Sequence, residues 1–293
     1  MPHVVALLLF SEVKMSDNPL KDLYRSKSVY LSLPSSGRFY NSGLNLSIDD
    51  ELGVMPMTAV DEIKLKSPDA LFNGDALFDL FKSCVPDISN TEEIPTCDVD
   101  MILMGIKVAT HGEMLEVTST CSKCEKEGEY EISLPSLMAS AQPIDKENVI
   151  EIEGGVKVFV RPFSLRSQVK GNVQRFHQMR MQMILNDDLT DDDKAQMFDE
   201  ALLQASAVSV QLCADNILSV ELPQESGETI KVENAEHIYE WVENMDSKTY
   251  EKVISRIRKL SDPRIDTNIN LTCTECQHEY KTKLELDPIN FFT

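Results

Sequence analysis

The residues best suited to chemistry in this 293-residue chain are four cysteines arranged as two Cys-x-x-Cys pairs. The first pair is Cys121 and Cys124, and the second is Cys273 and Cys276 near the C-terminal end of the sequence. Two sulfurs at this spacing can reach one ion from a single tight turn, and four thiolates complete the tetrahedral shell that zinc prefers. The sequence therefore predicts one metal site built from two half-sites that are far apart along the chain.

The segments that flank the two pairs repeat each other. Superposing Cys121 on Cys273 also superposes Val117 on Ile269 and places apolar residues at matching positions after each pair. Alternating sequence on both sides of a Cys-x-x-Cys turn is typical of a strand, a knuckle and a second strand. We predict a pair of β-hairpin knuckles that together resemble a discontinuous zinc ribbon.

The ligand chemistry favours a structural zinc ion. Sulfur ligands favour zinc over magnesium or calcium, which prefer oxygen. Four cysteines leave no open coordination position for a water molecule, so we expect a structural ion and not a catalytic one. His278 lies close to the second pair, but we expect it to be only a neighbour because the cysteines already supply four ligands.

Three other interpretations of the cysteines remain open. A redox-active pair would be followed by a helix, whereas strand-like sequence follows both pairs. A disulfide framework would suit an even number of cysteines in a secreted chain, whereas this sequence has seven and does not begin like a secretion signal. The two knuckles could also pack together without a metal. The remaining cysteines are expected to be buried thiols: Cys84, Cys97 and Cys213.

Composition restricts the class of protein. The formal net charge of −21 repels phosphate backbones and suits a basic partner surface, so we expect no nucleic-acid partner. No apolar run approaches the ~20 residues that a membrane span needs, so no span is expected. No hydrolase, metalloprotease, nucleotide-binding or dinucleotide motif occurs, so we expect neither an enzyme nor a small-molecule substrate.

The sequence predicts an α+β fold in which helical segments surround the pair of knuckles. Residues 1–14 are predicted to be an extension upstream of a second start at Met15, with a docking peptide as the alternative. Residues 15–56 are predicted to form an extended arm. Residues 57–140 form a helical region with the first knuckle, and residues 141–293 form an α+β region that ends with the second.

Local signals predict several elements within these segments. Thr58 and Asp98 are each predicted to cap a helix. In the arm, the aromatic pair Phe39 and Tyr40 is expected to anchor on the core, with a partner surface as the alternative. We expect pairing between 47–50 and 52–57, a hairpin around Gly154-Gly155, a second hairpin of 217–222 with 229–232, and helices over 235–245 and 247–260.

Three stretches of the sequence resemble the baseplate hub assembly proteins of T-even-like contractile-tailed bacteriophages. The resemblance covers most of residues 28–293, and residues 1–14 have no counterpart in it. The arm sequence Leu-Pro-Ser-Ser-Gly-Arg-Phe-Tyr and the helices that follow it carry most of the resemblance. The three stretches are Leu33–Tyr40 with Met57–Ile88, then Thr110–Cys124, and then Val156–Ser167.

The resemblance implies a hub subunit or hub assembly factor that acts by contact with other baseplate hub proteins. Such a protein would be made late in infection in the host bacterial cytoplasm and would stay in the virion tail baseplate or leave as a chaperone. The family has no catalytic residues to transfer. Two other classes stay open: a zinc-ribbon adaptor that binds transcription machinery, and an enzyme with an unrecognised site in a deep pocket.

Overall fold

The structure is a computed structural model that combines helices with small antiparallel sheets, which confirms the α+β prediction. Its described strands form three two-stranded sheets and one four-stranded sheet. The predicted extension over residues 1–14 lies outside the described part of the chain, and the division into four segments stays a prediction. The described residues are 18–67, 74–173, 191–224, 227–284, 286 and 291–292.

The arm contributes a short antiparallel pair of strands to the first core. Strand β1 (Val29–Leu31) pairs with strand β2 (Leu52–Val54), and both strands contain buried residues. The predicted pairing of 47–50 with 52–57 is wrong, because β2 pairs only with β1 in its sheet and residues 47–50 do not form a strand. Residues 47–51 form a tight turn instead, in which the Ser47 amide donates to the carbonyl of residue 51.

Among the described residues, three α-helices follow the arm: α1 (Ala59–Leu65), α2 (Asp75–Cys84) and α3 (Thr96–His111). The predicted cap at Thr58 is confirmed, since Thr58 and Asp61 exchange side-chain and backbone hydrogen bonds as a capping box. Helix α3 is buried on nearly all sides, as expected for a helix inside a core. We call the apolar cluster around α3 the first core. Buried residues of β1, β2 and α2 also pack in it.

Asp98 does not cap helix α3 as predicted. The N-cap position is Pro95, and the buried Asp98 carboxylate in the first turn accepts hydrogen bonds from the arm instead. The Ser35 amide donates to it at 2.8 Å, the Ser35 hydroxyl donates to it as well, and the Tyr40 hydroxyl donates at 2.8 Å. Tyr40 packs against the first core, so the expected anchoring of the arm on the core is confirmed for this residue.

A second core lies under the four-stranded sheet, in which each strand pairs with the strand that follows it in the sequence. The predicted hairpin around Gly154-Gly155 is confirmed, and both glycines have positive φ. The predicted hairpin of 217–222 with 229–232 is confirmed as well. The strands are β5 (Val149–Glu151), β6 (Lys157–Val160), β7 (Ile217–Pro223) and β8 (Thr229–Val232).

Helices cover the inner face of this sheet. A helix α5 is described over 165–173, and α6 (Asp191–Ala214) precedes strand β7. The predicted helices over 235–245 and 247–260 are confirmed as α7 (Ala235–Glu243) and α8 (Ser247–Ser261). Residues from α7, α8, β6, β7 and the end of α6 form the second core. No helix in the described part of the chain combines the length and the apolar character needed to cross a membrane.

Two further hairpins lie at the first core, one before and one after the four-stranded sheet in the sequence. The earlier hairpin, β3 (Met114–Thr120) and β4 (Glu127–Ser133), follows α3 and leads into α4 (Leu134–Ala139). Hairpin β9 (Asn268–Thr272) and β10 (Glu279–Lys283) follows α8. Four buried residues around and beyond this last hairpin pack in the first core, so the two hairpins belong to the same part of the molecule. These residues are Ile265, Leu284, Phe291 and Phe292.

The buried carboxyl group of Asp98 predicts a specific pH dependence of stability. Burial raises the pKa of Asp98 to about 6, although Ser35 and Tyr40 donate hydrogen bonds to the carboxylate. An unfolded Asp has a pKa of about 3.9, so the native state binds this proton more tightly than the unfolded state. The free energy of unfolding therefore decreases as the pH rises from about 4 to about 6. Urea denaturation at several pH values should show that Asp98→Asn lacks this decrease, and an unchanged slope in the variant would contradict the prediction.

Candidate metal centre

The structure brings the four predicted cysteine sulfurs together. All four Sγ atoms lie within 4.8 Å of one another. The Sγ atoms of Cys121 and Cys276 are 3.7 Å apart, and those of Cys124 and Cys273 are also 3.7 Å apart. A tetrahedral zinc ion with bonds of about 2.3 Å to sulfur requires sulfur atoms about 3.8 Å apart. The sulfur cluster therefore has the size of one tetrahedral shell, with two ligands from each hairpin.

The first knuckle is a tight turn between β3 and β4. The Cys121 amide donates to the carbonyl of Lys126 at 3.0 Å, and the Glu125 amide donates to the carbonyl of Cys121 at 3.0 Å. Glu125 has a φ of 59°, the left-handed conformation that lets the chain turn back into β4. The Lys123 amide points to the Cys121 sulfur at 3.4 Å. This turn directs both sulfurs to the same side of the hairpin.

The second knuckle repeats the first in its backbone contacts. The Cys273 amide donates to the carbonyl of His278 at 2.9 Å, and the Gln277 amide donates to the carbonyl of Cys273 at 2.9 Å. Gln277 has a φ of 58°, which matches the left-handed residue of the first knuckle. The ring of His278 stacks on Tyr280, and the sulfur cluster contains no histidine among the described residues. His278 is therefore a neighbour, as the sequence predicted.

The electrostatics of the cluster favour a compensating cation. The backbone amide of Cys124 is the largest contribution that lowers the pKa of Cys121 to about 7, and the amide of Cys276 lowers the pKa of Cys273. The Lys126 amide favours the thiolate of Cys124, but burial and the three neighbouring sulfurs outweigh it and raise the pKa of Cys124 to about 12. The protein alone therefore does not stabilise four thiolates at this spacing, whereas a soft divalent cation supplies the missing positive charge.

All seven cysteines are free thiols in the structure. The lone cysteines Cys84, Cys97 and Cys213 are buried, as predicted. Strands and not helices follow both Cys-x-x-Cys turns, which disfavours the redox interpretation. The donor set that remains is four sulfurs from two hairpins, which fits zinc by both geometry and ligand type.

Two contacts between the hairpins accompany the sulfur cluster. The sequence did not predict either of them. The hydroxyls of Tyr130 and Tyr280 lie 3.2 Å apart, and their rings meet edge to face. The ammonium group of Lys126 lies 2.7 Å from the carboxylate of Glu275 on the exposed surface. The repeat aligns Tyr130 with Thr282, so the repeated pattern contains no signal for the tyrosine pair.

Apolar residues fix both hairpins on the protein interior. The buried residue Cys273 follows β9, whose inward residues are buried, and the buried residue Cys121 follows β3, which is buried at Leu115. This packing holds the directions of the two hairpins, so the positions of the four sulfurs follow from the core and from the turns together. The buried apolar residues of the two hairpins and their ends are Leu115, Leu134, Ile269, Leu271 and Leu284.

The comparisons with known proteins give one match. The sequence model of a family described as "T4 bacteriophage base plate protein" matches residues 10–293 of the chain. No curated protein and no solved structure gives a significant match.

Packing of the second hairpin should contribute more to the stability of the protein than the surface ion pair between the two hairpins. Leu284 is 6% exposed and belongs to the first core, so Leu284→Ala should lower the free energy of unfolding by about 2–4 kcal/mol. Lys126→Ala removes an exposed ion pair and should change this free energy little. Chemical denaturation of both variants measures the difference, and an equal loss in the two would contradict the dominance of packing.

Proposed function

Because the chain belongs to the family of T4 bacteriophage base plate proteins, we propose that it is a subunit or an assembly factor of the central hub of a phage tail baseplate. The family match over residues 10–293 carries this proposal. Membership of the family supports a structural baseplate role, contact with other phage structural proteins and a place in the virion tail. In the proposal, the chain is made in the host bacterial cytoplasm and acts there during assembly.

The proposed role is non-catalytic and depends on contact surfaces. A net charge of −21 favours basic protein surfaces over phosphate backbones, so the proposed partners are other hub proteins and not nucleic acid. The ligand set of four sulfurs is saturated by a tetrahedral ion, which supports a structural role for the metal and no role for a small-molecule substrate.

We further propose that Cys121, Cys124, Cys273 and Cys276 hold one structural zinc ion and that their hairpins form a zinc-ribbon-like unit. The support is the cluster of four Sγ atoms within 4.8 Å of one another and the two matching turns that direct them. When bound, the ion supplies a cross-link between two distant parts of the chain. The residues themselves place two thiolates from each hairpin around a common centre.

Removal of one proposed ligand should release the metal. The wild-type chain should contain about one zinc per molecule, and Cys273→Ser should lose it, because three sulfurs bind zinc less tightly than four. The variant should also unfold at a lower temperature, since metal binding that depends on folding stabilises the folded state. Elemental analysis and thermal denaturation measure the two effects.

Cys213→Ala is the matched control for this experiment. Cys213 is a buried cysteine of the second core and is not part of the sulfur cluster, so its removal should leave the zinc content unchanged. Two zinc ions per wild-type chain, or a full zinc content in Cys273→Ser, would contradict a single shared site.

Isolation of the tagged chain from infected cells should recover baseplate hub proteins. The expected proteins are identified by mass spectrometry, and intact tails from the same infection show whether the chain stays in the virion. Presence in purified tails indicates a hub subunit, whereas recovery only with assembly intermediates indicates an assembly factor. Recovery of unrelated host enzymes alone would reject the baseplate proposal.

A further inference from the structure

An apolar groove of about 540 Å³ lies between the four-stranded sheet and helix α7. Its floor includes Leu222 of β7 and Val232 of β8, and its wall includes Trp241 and Met245. We call this cavity the β8 groove. Its lining residues belong to or flank the second core. At the groove, helix α7 leaves part of the apolar face of the sheet uncovered.

The β8 groove borders a free sheet edge. Strand β8 is the last strand of its sheet, and its outer edge pairs with no other strand of the described residues. Ile230 is the cross-strand partner of Leu222, so it faces the same side of the sheet as the groove. Ile230 is 49% exposed, so its apolar side chain is accessible to a partner at the border of the groove. An unpaired edge with an exposed apolar residue is a template for an added strand.

The charged groups around the β8 groove are mostly acidic. Glu153 and Asp246 line it, and Lys248 reaches Glu153 at 3.3 Å. Donation from the Thr249 side chain and backbone amide lowers the pKa of Asp246, which keeps this carboxylate ionised at neutral pH. Helix α7 has no lysine or arginine, and it presents three exposed glutamates: Glu236, Glu240 and Glu243.

We propose that the β8 groove and the free edge of β8 bind an extended segment of another baseplate protein, in which apolar residues are flanked by lysine or arginine. The segment adds as a strand beside β8, inserts an apolar side chain into the groove and places its basic residues against the carboxylates of α7. A second copy of this chain is the wrong occupant, because each copy has a net charge of −21 and would bring like charges together. The inference rests on the proposed function, since the partner is another baseplate protein.

Photo-cross-linking of the full chain tests this assignment. A benzoylphenylalanine residue replaces Ile230 in one sample and Ile63 in a control; Ile63 lies on helix α1 and is 69% exposed. After irradiation of infected cells, mass spectrometry identifies the cross-linked segment. Cross-linking from position 230 to an apolar segment with flanking lysine or arginine in another baseplate protein is the expected result. Cross-linking only to a second copy of the chain, to an acidic segment or to nothing overturns the inference.

Two matched substitutions measure the contribution of the surface. Ile230→Asp should reduce the amount of baseplate protein recovered with the tagged chain at least tenfold, because it places a carboxylate at the border of the apolar groove, where the apolar side chain of the added segment would pack. Ile63→Asp should leave the recovery unchanged, and circular dichroism should show that both variants fold, since both side chains are exposed.

The two proposals fail in different ways. Equal recovery of baseplate proteins by wild type and Ile230→Asp overturns the inference about the β8 groove and leaves the baseplate role standing. Absence of baseplate proteins from the wild-type sample overturns both.

Discussion

The return of the chain end to the first core is the constraint on which the rest of the structure depends. Ile265, Leu284, Phe291 and Phe292 are buried there together with residues from the arm and helix α3. Because these residues are packed, the hairpin between them lies beside the first hairpin and cannot point elsewhere. The convergence of sulfurs to distances of 3.7 Å then follows from apolar packing, and the proposed zinc ion would bind an arrangement that the core has already set.

The same core explains how the extended arm keeps its position. A buried carboxylate is unfavourable unless it is hydrogen-bonded, and Asp98 receives hydrogen bonds from Ser35 and Tyr40 of the arm, in addition to a long contact with the neighbouring Cys97 thiol. Arg38 continues this connection, since its guanidinium donates to the carbonyls of Asp145 and Lys146. Asp145 in turn pairs with Arg256 on helix α8 at 2.9 Å. The arm thus links the first core to the helices of the second.

Local patterns in the sequence predicted what local chemistry determines. The knuckles were predictable because a Cys-x-x-Cys turn and its flanking strands form a compact signal, and the signal occurs twice. The cap at Thr58 and the hairpin at Gly154-Gly155 were predictable for the same reason, since the partners lie within a few residues. Asp98 was misassigned because a carboxylate in a first helical turn usually accepts from that turn, whereas here Ser35 and Tyr40 donate to it from about sixty positions away.

Long-range pairing accounts for the other differences. The sequence predicted a local hairpin of 47–50 with 52–57, but strand β2 pairs with the more distant β1 at the start of the arm. Nothing in the repeat indicated the contact between Tyr130 and Tyr280, since the two positions do not correspond in the two hairpins. The predicted proximity of the two Cys-x-x-Cys pairs came from the coordination number of the ion and not from the packing that the structure reveals.

The separation of the two half-sites along the chain has a consequence for biosynthesis. Cys121 and Cys124 leave the ribosome long before Cys273 and Cys276, so the sulfur cluster can form only after the chain has been made as far as Cys276. A truncated product would expose the first pair without its mate and would leave the first core without its last aromatic residues. A chain released before Cys273 therefore lacks half of the four-sulfur cluster, whereas a chain that includes both pairs can assemble it.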